Sequence, residues 1–461
     1  MNYDDFVSRK LALIPPAGID ARFVDATHLF PHQADLARWA VKRGRAAVFA
    51  ETGLGKMRIE LAWSNAIRSA TQGDILILSP LAVAAQIVTE GERIGVNVTH
   101  CRDDSDVRPG INVLNYDRLH RVDAERFKGV VLDESSIIKH HDTKTLAHLL
   151  DAFARTPYKL PASATPAPND WTELGTHAEF LGVCSRAEML AEYFVHDGGD
   201  TQTWRLKGHA KHLFWRWVSS WGAMVRSPED LGHDGSLYRL PPLNVIEHTV
   251  RSHQASEGAL FAMEAQTLSE RRDARRASLA ERVKECAAIV NDDRQPWVVW
   301  CDLNAESDAL KAAIPDAVEI RGSDAAEDKE QRLNDFAQGR IRVLVTKPSI
   351  AGWGLNWQHC ARMGFVGVTD SFEAYYQAVR RCWRFGQSKP VDVHIFASEQ
   401  EGAVVANLKR KEADARAMSE ALSAETLEAV RAEVLGSIRT TNPYQPGRAL
   451  QVPAWLQTEA A

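Results

Sequence analysis

At 461 residues the chain is too long for a single compact core, and two or three domains are expected. Its composition, 45% hydrophobic and 25% charged, is ordinary for a soluble globular protein, and no apolar run approaches the roughly 18 residues of a membrane span. A net charge of -6 excludes a global basic footprint, so any nucleic acid must be met by a local stripe of Lys and Arg.

Residues 1–20 begin acidic, with no apolar run behind Met1 that would make a signal peptide, and Pro15, Pro16 and Gly18 predict an extended lead-in. From 21 to 183 short apolar runs (46–50, 75–78, 111–115, 130–132 and 158–164) alternate with helical stretches at 58–70 and 81–92. Such runs, bounded by turns and separated by helices, predict a parallel sheet covered on both faces. The first run leads into Ala50-Glu51-Thr52-Gly53-Leu54-Gly55-Lys56. Gly53 and Gly55 allow a tight turn that brings N–H groups to phosphate oxygens, Lys56 reaches the β- and γ-phosphates, and the following helix points its N-terminus at the same anion. Met57 stands where such loops carry the Ser or Thr whose hydroxyl binds Mg²⁺. A thioether is a poor ligand for a hard cation, so magnesium is expected to depend on the nucleotide, water and Asp133. The run at 130–132 ends in Asp133 and Glu134, one carboxylate for Mg²⁺ and its waters, the other to orient and deprotonate an attacking water.

Residues 184–243 break the rhythm with Trp204, Trp215, Trp217 and Trp221; the spacing of Phe214, Trp217 and Trp221 suits one helix face. Two readings stand here: a Trp-rich helical insertion packed on the first lobe, or an aromatic platform on which bases stack. Residues 244–292 read as a charged helical linker whose Arg271, Arg272, Arg275, Arg276 and Arg282 form either a solvated face or a phosphate-tracking stripe. Between 293 and 435 the alternation resumes, with runs at 298–301, 318–320, 342–345, 363–367 and 391–396 predicting a second parallel sheet. There Arg380-Arg381-Cys382-Trp383-Arg384 places arginines at i and i+3 on one face. Across a cleft they can stabilise charge on a transferring phosphoryl group. Residues 436–461 are expected to be an irregular tail. The six cysteines are scattered without a CxxC pair and are expected to be buried thiols.

Taken in order, these pieces resemble the motif series of superfamily 2 helicases, most closely the Snf-type branch and the compact helicases of phages and prophages. Phe30-Pro31-His32-Gln33 is similar to the adenine-recognising segment, Glu51 to Met57 to motif I, Leu78-Ser79-Pro80-Leu81 to motif Ia and Asn115-Tyr116-Asp117 to motif Ib. Asp133-Glu134-Ser135-Ser136 stands at motif II and Ser163-Ala164-Thr165-Pro166 at motif III. Residues 299–304, 346–356 and 377–387 resemble motifs IV, V and VI.

The resemblance implies an α/β chain of two RecA-like lobes closing on ATP and Mg²⁺. It implies nucleotide contacts from Gln33, Thr52, Gly53, Leu54, Gly55, Lys56, Met57, Asp133 and Gly354, with Asp133 on the metal. Glu134, Arg381 and Arg384 take the catalytic roles, and Ser163, Thr165 and Gln377 couple the phosphate state to lobe closure. Ser79, Pro80, Tyr116, Thr346, Lys347 and Trp353 lie near a nucleic-acid backbone. DNA is favoured, duplex before single strand, with RNA left open and a protein partner as a possible source of targeting. The implied activity is ATP-driven translocation along DNA in the cytoplasm of a bacterial or phage-infected cell. Met57 keeps an alternative open, a nucleotide-gated DNA-binding clamp with impaired hydrolysis.

Overall fold

A computed structural model describes residues 14–81, 83–197, 200–250, 275–351, 356–367, 371–399 and 402–434. The first sheet is built from β1 (Ala47–Ala50), β2 (Asp74–Ser79), β3 (Val98–His100), β4 (Ile111–Asn115), β5 (Phe127–Asp133) and β6 (Tyr158–Ser163). After an antiparallel hairpin of β7 (Phe194–Asp197) and β8 (Asp200–Leu206), β9 (Gly222–Val225) returns to that sheet beside β1. The seven strands are parallel, in the order β3-β4-β2-β5-β6-β1-β9. Along β2, Ile75 and Ile77 enter one apolar cluster while Leu76 and Leu78 enter another on the opposite face. A strand whose alternate side chains are all apolar must be covered on both sides, and here helices cover it.

The second sheet holds β10 (Leu243–Val250), β11 (Trp297–Trp300), β12 (Ala317–Glu319), β13 (Val343–Thr346), β14 (Arg362–Phe365) and β15 (Val391–Ser398), all parallel, in the order β10-β15-β14-β11-β13-β12. Val298 and Trp300 face one core and Val299 the other. The chain is therefore α/β with two parallel-sheet lobes in tandem, consistent with RecA-like units. Among the described residues no helix is long and apolar enough to cross a membrane, and the six cysteines form no disulfide, five of them buried.

Three features bear on the open sequence readings. Trp215, Trp217 and Trp221 are buried, packed edge-on and tilted against Phe214 and one another, with Met418 and Leu422 in the same cluster. They form a satellite core, and only Trp204 of the four is half-exposed, its ring lying 3.7 Å from that of His196. A flat, buried indole has no free face on which a base could stack.

At its described end the arginine run is divided, Arg275 and Arg282 being buried and Arg276 exposed. Arg282 is fully buried, with its guanidinium 2.9 Å from Glu306 and also donating to the carbonyls of Val366 and Arg275, while buried Arg275 pairs with Asp302 at 2.6 Å. Guanidiniums desolvated and paired inside the protein are poorly placed to follow a backbone. Arg271 and Arg272 lie outside the described residues.

The helix Gly402–Val434, sequentially part of the second half, runs back across the first lobe. Its Val404 and Leu408 belong to the second lobe's core, Met418 and Leu422 to the tryptophan cluster, and Val430 to the first lobe's core. Thr426 Oγ1 accepts from the Met224 N–H at 2.9 Å, fixing the helix to the edge strand β9.

Candidate active site

The glycine loop leaves β1 at Ala50 and enters the helix Lys56–Thr71. Gly53 has φ 95° and Gly55 φ 81°, left-handed conformations that bend the loop back over the helix start. A Cβ on Gly55 would meet Gln33 Nε2 at 2.2 Å, so the second glycine is needed for close approach as well as for its backbone angle. Gln33 donates to the Leu54 carbonyl at 2.9 Å and accepts from the Phe30 N–H at 3.0 Å, and a His32 ring nitrogen lies 3.2 Å from the same Leu54 oxygen. These bonds put Gln33 behind the loop as a brace. Leu54 is buried, Thr52 is half-buried with its N–H bonded to its neighbour Glu51, and Met57 packs on the edge of the first lobe's core. Lys56, first residue of the helix, donates to the Ala50 carbonyl at 3.1 Å.

Opposite the lysine, β5 delivers Asp133 and Glu134. Glu134 has φ 54° and ψ 55°, one of two non-glycine residues at positive φ among the described ones. Holding a side chain there costs on the order of 1–3 kcal/mol, a strain typical of functional positions. Asp133 Oδ2 and Glu134 Oε2 are buried and meet no donor. Burial, then the Glu134 charge, pushes the Asp133 carboxyl up to about 7, with Lys56 pulling the other way. The Tyr116 hydroxyl donates to the Asp133 carbonyl at 2.8 Å and so fixes the strand end.

The sequence reading missed a third acid. Glu60, one helical turn beyond Lys56, is 1% exposed, and neither carboxyl oxygen has a hydrogen-bond donor. Burial first and the Asp133 charge second hold its carboxyl well above the ordinary carboxylate range. The signal was present: an acid at i+4 from the lysine shares its face, on a helix whose neighbouring positions are apolar.

The second lobe presents the helix Phe372–Val379 and the turn after it. Arg381 is buried and donates to the Gln377 side-chain oxygen at 3.0 Å and to the Gln377 carbonyl at 3.1 Å. Burial lowers Arg381 to about 9 and Arg384 to about 10, and the Glu134 charge acts on both in the opposite direction. The two guanidiniums thus lie towards the acids of the first lobe. Gln387 holds the turn: its amide donates to the carbonyls of Cys360 (3.0 Å) and Cys382 (3.2 Å) and accepts from the N–H groups of Ser388 and Lys389 (2.9 Å each).

Two interlobe contacts were also missed. Glu51 of the glycine loop accepts from Tyr376 OH and pairs with Arg380 at 3.0 Å, while Lys139 after the acids pairs with Glu373. Both lie beside motif residues whose own chemistry drew the attention.

The remaining expected residues separate by burial. Ser163 and Thr165 are buried beside β6, the Thr165 N–H donating to Ser163 Oγ at 3.0 Å. Ser135 Oγ and His177 Nε2 are bonded at 3.0 Å. Ser79 and Thr346 are fully buried, Thr346 donating to the Ile320 carbonyl at 3.2 Å, so neither hydroxyl faces a groove. Pro80 and Tyr116 line a cleft of about 480 Å³ with Glu134, Ile137 and Lys139, and Lys347 lines another of about 200 Å³ with Asp302 and Tyr375. Trp353 and Gly354 lie outside the described residues.

Residues 282–386 match the helicase conserved C-terminal domain. The matched stretch runs from the linker helix through the turn that carries Arg381 and Arg384, and it supports a superfamily 2 helicase-like protein, a class that uses ATP and nucleic acid. No curated protein matches the chain.

Proposed function

We propose that this chain is an ATP-dependent DNA translocase, hydrolysing ATP between its two lobes and moving along duplex DNA. The observation that carries the reading is convergence: Lys56 and Glu134 act on the charge of Asp133 within one lobe, and Glu134 acts on Arg381 and Arg384 of the other. Loop N–H groups and Lys56 bind the phosphates, and Glu134 takes the proton of the attacking water. Arg381 and Arg384 neutralise charge that develops on the transferring group, while Gln377, Ser163 and Thr165 link that state to lobe closure. The unmet oxygens of Asp133 and Glu134 fit a hard divalent cation; Mg²⁺, when bound, screens the phosphate charge. Duplex DNA is chosen because Arg384-Phe385-Gly386-Gln387 resembles the Snf-type ending.

One observation favours a second reading. Met57 gives the loop no hydroxyl for the cation, which suits a clamp that binds DNA when ATP is present and turns over slowly. ATPase assays with no nucleic acid, single-stranded DNA, duplex DNA and RNA, on wild type beside Lys56→Ala and Met57→Thr, separate the two. The translocase gives duplex-stimulated turnover that Lys56→Ala removes by about a hundredfold or more and Met57→Thr changes only modestly. The clamp gives ATP-dependent DNA binding without turnover until Met57→Thr switches hydrolysis on. Turnover indifferent to DNA and to Lys56→Ala overturns both.

A further inference from the structure

Glu60 has no role in the machinery so far, yet it sits in its middle. The helix Lys56–Thr71 also buries Ile59, Leu61, Ala62 and Trp63, so Glu60 is an acid among buried positions. A carboxyl taken out of water with neither oxygen bonded is costly. Its nearest charged neighbours are Asp133, Lys56 and Glu134. Two of these are carboxylates with unmet buried oxygens of their own, and the third spends a hydrogen bond on the Ala50 carbonyl. A proton shared between Glu60 and Asp133 and the two remaining N–H donors of Lys56 relieve part of the conflict, but three acids still crowd one lysine, and a cation brought from outside the chain would answer that excess.

The loop has the complementary deficit. Where a hydroxyl would stand on the cation's side of the phosphates, Met57 offers a thioether packed on the core's edge. A carboxylate oxygen is the hard donor that a divalent cation prefers, and a thioether is not. Among the described residues no group of three or more His, Cys, Asp or Glu is arranged to hold a metal unaided. A cation here must be shared with the nucleotide's phosphates and keep part of its water shell.

We propose that Glu60 substitutes for the hydroxyl missing at Met57, accepting hydrogen bonds from the water shell of the divalent cation that arrives with the nucleoside triphosphate. This rests on the reading of the cleft as an ATP site. Glu60 would be a positioning residue, one water removed from the cation, with Asp133 the residue in contact.

The test is binding of a fluorescent ATP analogue to the full chain, titrated with Mg²⁺ and with Mn²⁺, each variant referred to its own binding in EDTA. Glu60→Gln is expected to raise the half-saturating Mg²⁺ concentration by about tenfold or more, the usual consequence of losing an outer-shell partner. Glu60→Asp, which keeps the charge but withdraws it by one methylene, is expected to do so by less. Adding Met57→Thr to Glu60→Gln should restore most of the loss, because a hydroxyl returns to the position the carboxylate serves. If Glu60→Gln fails to fold, Glu60→Asp carries the same comparison. A metal dependence unchanged in every Glu60 variant that folds overturns the proposal and makes Glu60 a carboxyl that shares a proton with Asp133. A chain that binds no nucleotide with or without metal sinks the ATP-site reading itself, a different result from Glu60-insensitive binding.

Discussion

His177 is a fully buried imidazole on the helix Leu174–Leu181, bonded to Ser135 just after Asp133 and Glu134, with the Phe49 ring edge-on at 5.4 Å. Burial lowers it from 6.5 to about 4, so it is neutral at neutral pH. The unfolded chain takes up a proton below pH 6.5 that the folded chain refuses until about 4. Stability from His177 is thus present above pH 6.5 and lost as pH falls through about 4, by on the order of 3 kcal/mol. Asp133 has the opposite sign: its carboxyl is raised, so its contribution is present at acid pH and fades as pH rises through about 7. A bare pH profile mixes the two. Denaturant unfolding of wild type beside His177→Gln, which keeps a partner for Ser135 but cannot titrate, isolates the imidazole. The wild type should lose about 3 kcal/mol relative to the variant between pH 6.5 and 4, and parallel profiles would show that His177 is not buried as described.

At the scale of elements, the linker helix Leu279–Asp292 packs Val283, Cys286, Ala287 and Val290 into the second lobe's core and carries a buried ion pair. Arg282 and Glu306 are both at 0% side-chain exposure, and Glu306 also accepts from the N–H groups of Asp302 (2.8 Å) and Leu303 (3.0 Å), so the pair joins the linker to the start of the next helix. Arg282→Met would leave a buried carboxylate without its cation, which costs about 3–5 kcal/mol; denaturant unfolding should show that loss, and a change below about 1 kcal/mol would mean that the carboxylate finds water instead. The same pair shows where sequence reading stops. β2, β5 and β11 were legible because an uninterrupted apolar run has few ways to be satisfied. The glycine loop and the two acids were legible because their chemistry depends on residues adjacent in sequence. Arg282 and Glu306 are 24 positions apart, and an arginine run reads the same whether it is solvated or buried. β9 was hidden for a related reason: Gly222–Val225 follows the tryptophans directly, and only its pairing with β1 shows which sheet it joins. Glu60 was overlooked because a single acid on a helix is ordinarily a solvated one, and only burial distinguishes it.

The two lobes are held together in two chemically different ways, which makes their spacing testable. The helix Gly402–Val434 spans both with apolar contacts, supplemented by polar ones such as Lys409–Glu247 on one lobe and His212–Glu425 on the other. Glu51 spans them with charge: one carboxylate of the glycine loop receives Tyr376 and Arg380 of the other lobe, and the Arg380 guanidinium also lies 4.4 Å from the Trp383 ring centroid. Arg380 is 7% exposed, so this contact is poorly screened, and a charge-assisted bond in such a place is worth about 1–3 kcal/mol. A difference of 1.4 kcal/mol is about a tenfold change in an open-to-closed ratio. The contact also occupies the loop beside the very N–H groups that phosphates would need, so nucleotide arrival and the Glu51–Arg380 pair meet at one place. Glu51→Ala should therefore shift the nucleotide-free protein towards separated lobes, seen in small-angle scattering as a larger radius of gyration, with the Lys139–Glu373 pair left as the remaining charged contact of the cleft. In wild type, raising salt should produce only a smaller expansion, because a partly buried pair is weakly screened. If Glu51→Ala and wild type scatter alike at every salt concentration, the C-terminal helix alone sets the distance between the lobes, and the loop's acid is not a latch.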